Sequence, residues 1–128
     1  MKPATNEFTT RSTHVRTTLG GITSPVLNRP RAFARLLREA CTRAGAHVLS
    51  TKTHTFDAGN GQVGIATVCV LSESHASAHT WPEHQAVLMD IFTCGDCDPA
   101  GAMEWLAEQL GATYNKTDVE VRGLPEHL

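Results

Sequence analysis

Pro30-Arg-Ala-Phe-Ala-Arg-Leu-Leu-Arg-Glu-Ala-Cys-Thr-Arg-Ala-Gly45 carries one pattern from end to end. Phe33, Leu36, Leu37, Ala40, Cys41 and Ala44 fall at i, i+3, i+4, i+7, i+8 and i+11, which is one face of an α-helix. Pro30 suits a first helical turn, Asn28 or Arg29 stands before it, and Gly45 is placed for a left-handed cap. Arg31, Arg35, Arg38 and Arg43 fall on the other side and read as a solvated face. The spacing predicts a helix over residues 30–44.

Outward from this helix the period changes to two. Residues 46–56 read as a strand, with Val48, Ser50, Lys52 and His54 alternating against His47, Leu49, Thr51 and Thr53. Asp57-Ala-Gly-Asn-Gly61 is a turn cluster whose Asn-Gly step is a strong reversal signal. Residues 63–71 and 87–94 are nearly unbroken apolar runs, as expected for central strands buried on both faces. Only Asp90 interrupts the second run, and an acid there must be paired or lie at a rim. Upstream, residues 14–19 are a β-branched strand candidate stopped by Gly20-Gly21, and residues 1–12 read as a polar, disordered arm. Downstream, Met103, Leu106, Ala107 and Leu110 make a second helical stripe over residues 99–110, closed by Gly111. Residues 119–122 are a last short strand.

Strands joined largely by hairpins, with one helix in each half, predict an α+β domain: a mainly antiparallel sheet with helices on one face. Such a two-layer protomer leaves the other sheet face uncovered. The expected cover is the sheet of a second copy of the chain, an α/β/β/α sandwich dimer.

Length and charge narrow the class. A chain of 128 residues is one domain, and a net charge of −2 spread along it offers no basic field for nucleic acid. No run is long enough to span a bilayer, and residues 1–14 lack the apolar core of an export signal. The four cysteines are therefore expected to be reduced thiols in the cytoplasm.

Reactive groups crowd into residues 70–95, which hold three serines, three histidines, two glutamates and a cysteine beside one Trp-Pro step. Three chemistries can be written for them. His75 and His79 with Cys94 and Cys97 make a two-His, two-Cys zinc set, although the cysteines follow a buried strand without a zinc-ribbon knuckle. Ser72, Ser74 or Ser77 with a histidine makes a hydrolase pair, but there is no Gly-x-Ser-x-Gly elbow. In the third, the Ser74 hydroxyl attacks the carbonyl of Glu73, and β-elimination from the resulting ester leaves a pyruvoyl group at a new N-terminus. Histidine suits the proton transfers of that step near neutral pH, with His79 in reach if the chain turns. A pyruvoyl carbonyl can form a Schiff base with an amine and withdraw electrons so that carbon dioxide leaves. Cys94 is a candidate to return the proton. The residues alone leave these readings open.

The run Leu71-Ser-Glu-Ser-His-Ala-Ser-Ala-His-Thr-Trp-Pro-Glu83, with Met89-Asp-Ile-Phe-Thr-Cys-Gly95, closely resembles the signature of the prokaryotic S-adenosylmethionine decarboxylases. A weaker likeness runs from about His14 to Leu110. The resemblance implies a proenzyme of spermidine biosynthesis that cuts itself between Glu73 and Ser74. Residues 1–73 become the β chain and 74–128 the α chain, with the pyruvoyl cofactor at position 74. His79 then matches the processing histidine, Cys94 the proton donor, and Glu83 and Phe56 residues that hold the adenosyl part of the substrate. It also implies a homodimer of processed protomers with facing sheets, acting on a small-molecule amine, with no metal.

Three features depart from that family pattern. Ala66 stands where a serine is usual, Thr18 and Gly20-Gly21 stand where the opening strand has an acid and an aromatic, and the turn over residues 57–61 is long. Thr67 is no substitute for the serine, because strand neighbours point to opposite faces. These departures keep L-ornithine or L-arginine as alternative substrates. Two other classes remain as well: a processing-dead partner subunit, for which Ala66 is the motive, and a zinc-binding interaction domain. Of the remaining residues, His75 reads as structural, His47 and His84 as surface, and Cys41 and Cys69 as small core residues. Cys97 reads as incidental, and Trp81 and Phe92 as packing.

Overall fold

The structure, a computed structural model, describes residues 11–128. Strand β1 (Arg11–Gly20) leads through a 3₁₀ turn (Pro25–Asn28) to helix α1 (Pro30–Arg43). A meander follows: β2 (Val48–Gly59), β3 (Gln62–Leu71), β4 (Ser74–Trp81) and β5 (Ala86–Cys94). Helix α2 (Pro99–Leu110) and strand β6 (Tyr114–Gly123) close the chain. The six strands form one antiparallel sheet in the order β2-β3-β4-β5-β1-β6.

The helix that the apolar stripe predicts is present, and it buries Phe33, Ala34, Leu37, Ala40 and Cys41. Each large side chain of that kind contributes about 1.5–3 kcal/mol of burial. Helix α1 lies over β2, β3 and β4, and α2 over β1 and β5, so a single core forms between the helices and one sheet face. In that core the thiols of Cys41 of α1 and Cys69 of β3 are buried neighbours. The contact draws the Cys69 thiol down to about 7 and, with burial, pushes the Cys41 thiol up. Asn60 and Gly61, at φ +54° and +75°, turn β2 into β3, so the reversal signal is used where the sequence places it.

Several expectations are corrected. The arm predicted over residues 1–12 ends sooner, since Arg11 and Ser12 already pair with β5 or β6; residues 1–10 lie outside the described part. Strand β2 starts at Val48, two residues late, and β6 runs from Tyr114 rather than 119. Residues 74–81, which carry no clean apolar alternation, form a full strand between β3 and β5. The apolar runs of β3 and β5 are covered on one face only. Val68, Val70 and Leu88 are nearly half exposed on the other, because both helices lie on one side.

The uncovered face has a defined register. One row across it is His54, Ala66, His79, Leu88 and Thr18. The next is Lys52, Val68, Ser77, Asp90 and Arg16, and the third includes Val70, His75, Phe92 and His14. The acid that had to be paired is paired: Asp90 accepts from His14 Nε2 at 2.7 Å and from the Ser77 hydroxyl.

Candidate active site

Three connections meet at one end of the sheet. Helix α1 ends at Gly45, whose φ of +93° turns the chain toward His47. The Asp98 N–H, at the start of α2, donates to the Ala44 carbonyl at 2.8 Å. Between them, Ser72 and Glu73 form the two-residue turn that joins β3 to β4.

His47 fastens that turn. Its carbonyl accepts the Ser72 N–H at 2.9 Å, its own N–H donates to Glu73 Oε1 at 2.9 Å, and its ring Nδ1 donates to Glu73 Oε2 at 2.8 Å. Burial by itself would raise the Glu73 carboxyl, but the hydrogen bonds from His47 outweigh it and hold the group below its ordinary value. His47, read from sequence as a surface residue, is exposed and also structural. Only tertiary contact reveals this, since the two residues are far apart in the chain.

The residue after the turn is strained. Ser74 has φ +140°, a conformation that L residues rarely adopt and that costs of order 1–3 kcal/mol. Its Oγ lies 3.1 Å from His75 Nδ1. The carbonyl just before it, that of Glu73, accepts the Cys94 backbone N–H at 3.0 Å. Glu73 and Cys94 also line one cavity of about 340 Å³ with Gly45, Gly95, Asp96 and Cys97. Burial, then the charge of Glu73, raise the Cys97 thiol above its ordinary value, which keeps it protonated.

The remaining predicted residues lie elsewhere. His79 is on the uncovered face, its ring stacked between Trp81 at 4.0 Å and Phe56 at 5.3 Å, centroid to centroid. Glu83 is exposed in the 3₁₀ turn Pro82–His84 just beyond β4. The buried Thr80 hydroxyl fixes this end, accepting the Ile65 N–H at 3.0 Å and donating to the Leu27 carbonyl at 2.8 Å. Ser74 and Cys94 thus sit at one end of β4, and Phe56, His79 and Glu83 at the other. The turn that would bring His79 to Ser74 does not occur. Five residues of extended strand separate them by about 16 Å. Ala66 lies directly opposite His79, while Thr67 points to the buried face, its hydroxyl 3.3 Å from that of Thr53. The zinc set does not assemble: among the described residues, no three His, Cys, Asp or Glu side chains are placed to hold a metal ion. Among the same residues, no helix is long and apolar enough to cross a membrane.

Comparison with known proteins agrees with the motif. The sequence profile described as S-adenosylmethionine decarboxylase matches residues 13–123. The chain is 36% identical over 114 residues to the S-adenosylmethionine decarboxylase proenzyme of Caldicellulosiruptor saccharolyticus, covering 88% of this chain and 89% of that one. It is 39% identical over 98 residues to the corresponding proenzyme of Pyrobaculum aerophilum, covering 76% of each. The crystal structure of the adenosylmethionine decarboxylase from Aquifex aeolicus superposes with a TM-score of 0.80 at 31% identity, covering 93% of this chain and 96% of that one. Fold and relatives define a decarboxylase. The chain belongs to the S-adenosylmethionine decarboxylase family.

Proposed function

We propose that the chain is a proenzyme that cuts itself between Glu73 and Ser74, gains a pyruvoyl group at position 74, and decarboxylates S-adenosylmethionine for polyamine biosynthesis. The observation that carries this reading is the strained Ser74 directly after Glu73, with the Glu73 carbonyl already bound by the Cys94 N–H. Cleavage releases the strain, and an N–H aimed at the attacked carbonyl oxygen stabilises the charge that develops there. The group the family uses therefore fits this chain: its precursor, an attackable carbonyl and a thiol meet beside one cavity. When formed, it supplies an electron sink for loss of carbon dioxide. Cys94 lines that cavity, and its thiol donates the proton that replaces the departed carboxylate.

The separation of Ser74 from His79 supports a homodimer. The uncovered face exposes Phe56, Val68, Val70 and Leu88 together, an apolar surface that soluble monomers rarely leave open. A second copy laid across it about a two-fold axis, strands reversed, brings His79, Phe56 and Glu83 of one protomer to Ser74 and Cys94 of the other. His79 then removes the Ser74 α-proton as the ester breaks, while Phe56 and Glu83 hold the adenosyl part of the substrate. In this arrangement Ala66 sits beside His79 without the usual hydroxyl. The ornithine or arginine alternative finds no support among the relatives.

Intact mass tests the reading. Two fragments split before Ser74, the C-terminal one blocked to Edman degradation, are expected, with carbon dioxide released from S-adenosylmethionine and not from ornithine or arginine. A single intact chain after long incubation would overturn it.

A further inference from the structure

Cleavage at Ser74 starts with loss of the hydroxyl proton, and the residues assigned so far do not receive it. His79 is at the far end of β4. The His47 ring is occupied by Glu73 Oε2 and the His14 ring by Asp90. Among the described residues, His75 is the ionisable side chain in hydrogen-bond contact with the hydroxyl, its Nδ1 3.1 Å from Ser74 Oγ. The ring is steadied on its other side by Phe92, whose centroid lies 5.7 Å away at a tilt of 51°. A histidine that a sequence reading assigns to structure is therefore placed on the reacting atom.

We propose that His75 is the general base of chain cleavage, a catalytic residue distinct from His79. The assignment rests on the reading of Glu73-Ser74 as the joint that is cut. As Ser74 Oγ bonds to the Glu73 carbonyl carbon, Nδ1 takes the hydroxyl proton, and the negative charge on the carbonyl oxygen faces the Cys94 N–H. The proton then passes from Nδ1 to the Ser74 amide nitrogen as the C–N bond breaks. The products are an ester at Oγ and a free amine at Ser74, with atoms and charge balanced and no co-reactant. His79 of the second copy acts only afterwards, when the Ser74 α-proton is removed and the ester oxygen leaves. The two histidines thus divide the work, one for the acyl shift and one for the elimination.

Hydroxylamine near neutral pH separates these steps, because it cuts an ester before residue 74 far faster than any peptide bond, and a slow cut at Asn60-Gly61 gives fragments of a different mass. The His79→Ala chain should accumulate ester and be split by hydroxylamine before residue 74. The His75→Ala and His79→Ala double variant should form no ester and stay whole. With His79 intact, His75→Ala and His75→Gln should cleave about 10² to 10⁴-fold more slowly, the usual contribution of a positioned acid-base group. Their melting temperatures should stay close to that of uncleaved Ser74→Ala. Added imidazole should partly restore cleavage of His75→Ala, which no purely structural role predicts. Hydroxylamine splitting of the double variant as fast as His79→Ala would overturn the assignment while leaving self-cleavage standing. Wild-type chain that never cleaves would remove both.

Discussion

The Cys94 backbone N–H donates to the Glu73 carbonyl oxygen over 3.0 Å, so a residue that lines the cavity also steadies the carbonyl of the proposed cleavage joint. In the proposed mechanism one residue serves two steps through different atoms. Cys94→Ala keeps the backbone N–H and loses the thiol. Its cleavage should remain within about tenfold of wild type, while turnover falls by about 10²-fold or more, the range of a lost acid. Gel analysis of cleavage and carbon dioxide release measure the two separately. Loss of both together would contradict the division.

Ser74→Ala and Ser74→Gly should both abolish cleavage, since neither has a hydroxyl. They should differ in stability. Alanine keeps the strain at φ +140°, and glycine removes it. The glycine chain should be more stable by about 1–3 kcal/mol in denaturant unfolding. Equal stabilities would mean that the joint is not strained in solution.

His79 and Ser74 lie too far apart on one β4 strand to meet, which makes complementation a direct check. His79→Ala and Ser74→Ala chains should each stay uncleaved alone. Co-expressed, the His79→Ala chain should be cut, because its Ser74 meets the intact His79 of a Ser74→Ala partner. If it stays whole in mixed dimers isolated with two different tags, the two-fold arrangement is wrong.

The His47–Glu73 contact sets an acid limit. The folded-state pKa of Glu73 lies below its ordinary value, despite partial burial that alone would raise it. Its stabilisation is therefore complete above the ordinary carboxylate range, about 4.3, and is lost as pH falls through the lower folded value. In an uncleavable Ser74→Ala background, Glu73→Gln should lower the melting temperature near neutral pH. The difference should shrink as pH falls below the ordinary carboxylate range and Glu73 takes up its proton. A difference independent of pH would show that the carboxylate charge does not contribute.

Much of this was legible before any fold was known. The stripe from Phe33 to Ala44 specified α1, and the Asn60-Gly61 step specified a hairpin, because each depends on contacts a few residues apart. The chemistry of residues 71–83 was legible as a motif, since its order along the chain is its signature. The strand at residues 74–81 was not. His75, Ser77, His79 and Trp81 alternate with small residues, and their strand form depends on β3 and β5 on either side.

What the sequence determined by itself is local periodicity and the identity of the reactive groups: two helices, the apolar runs, and Glu73-Ser74 with His79 and Cys94. The tertiary structure decided which groups share a place. The β3–β4 turn bends back onto His47, β5 brings the Cys94 N–H to the Glu73 carbonyl, and the extended β4 carries His79 away from Ser74. Strand register and hydrogen bonds between segments far apart in the chain fix those distances. Spacing along the chain does not encode them, since five residues span a few ångströms in a turn and about 16 Å in a strand.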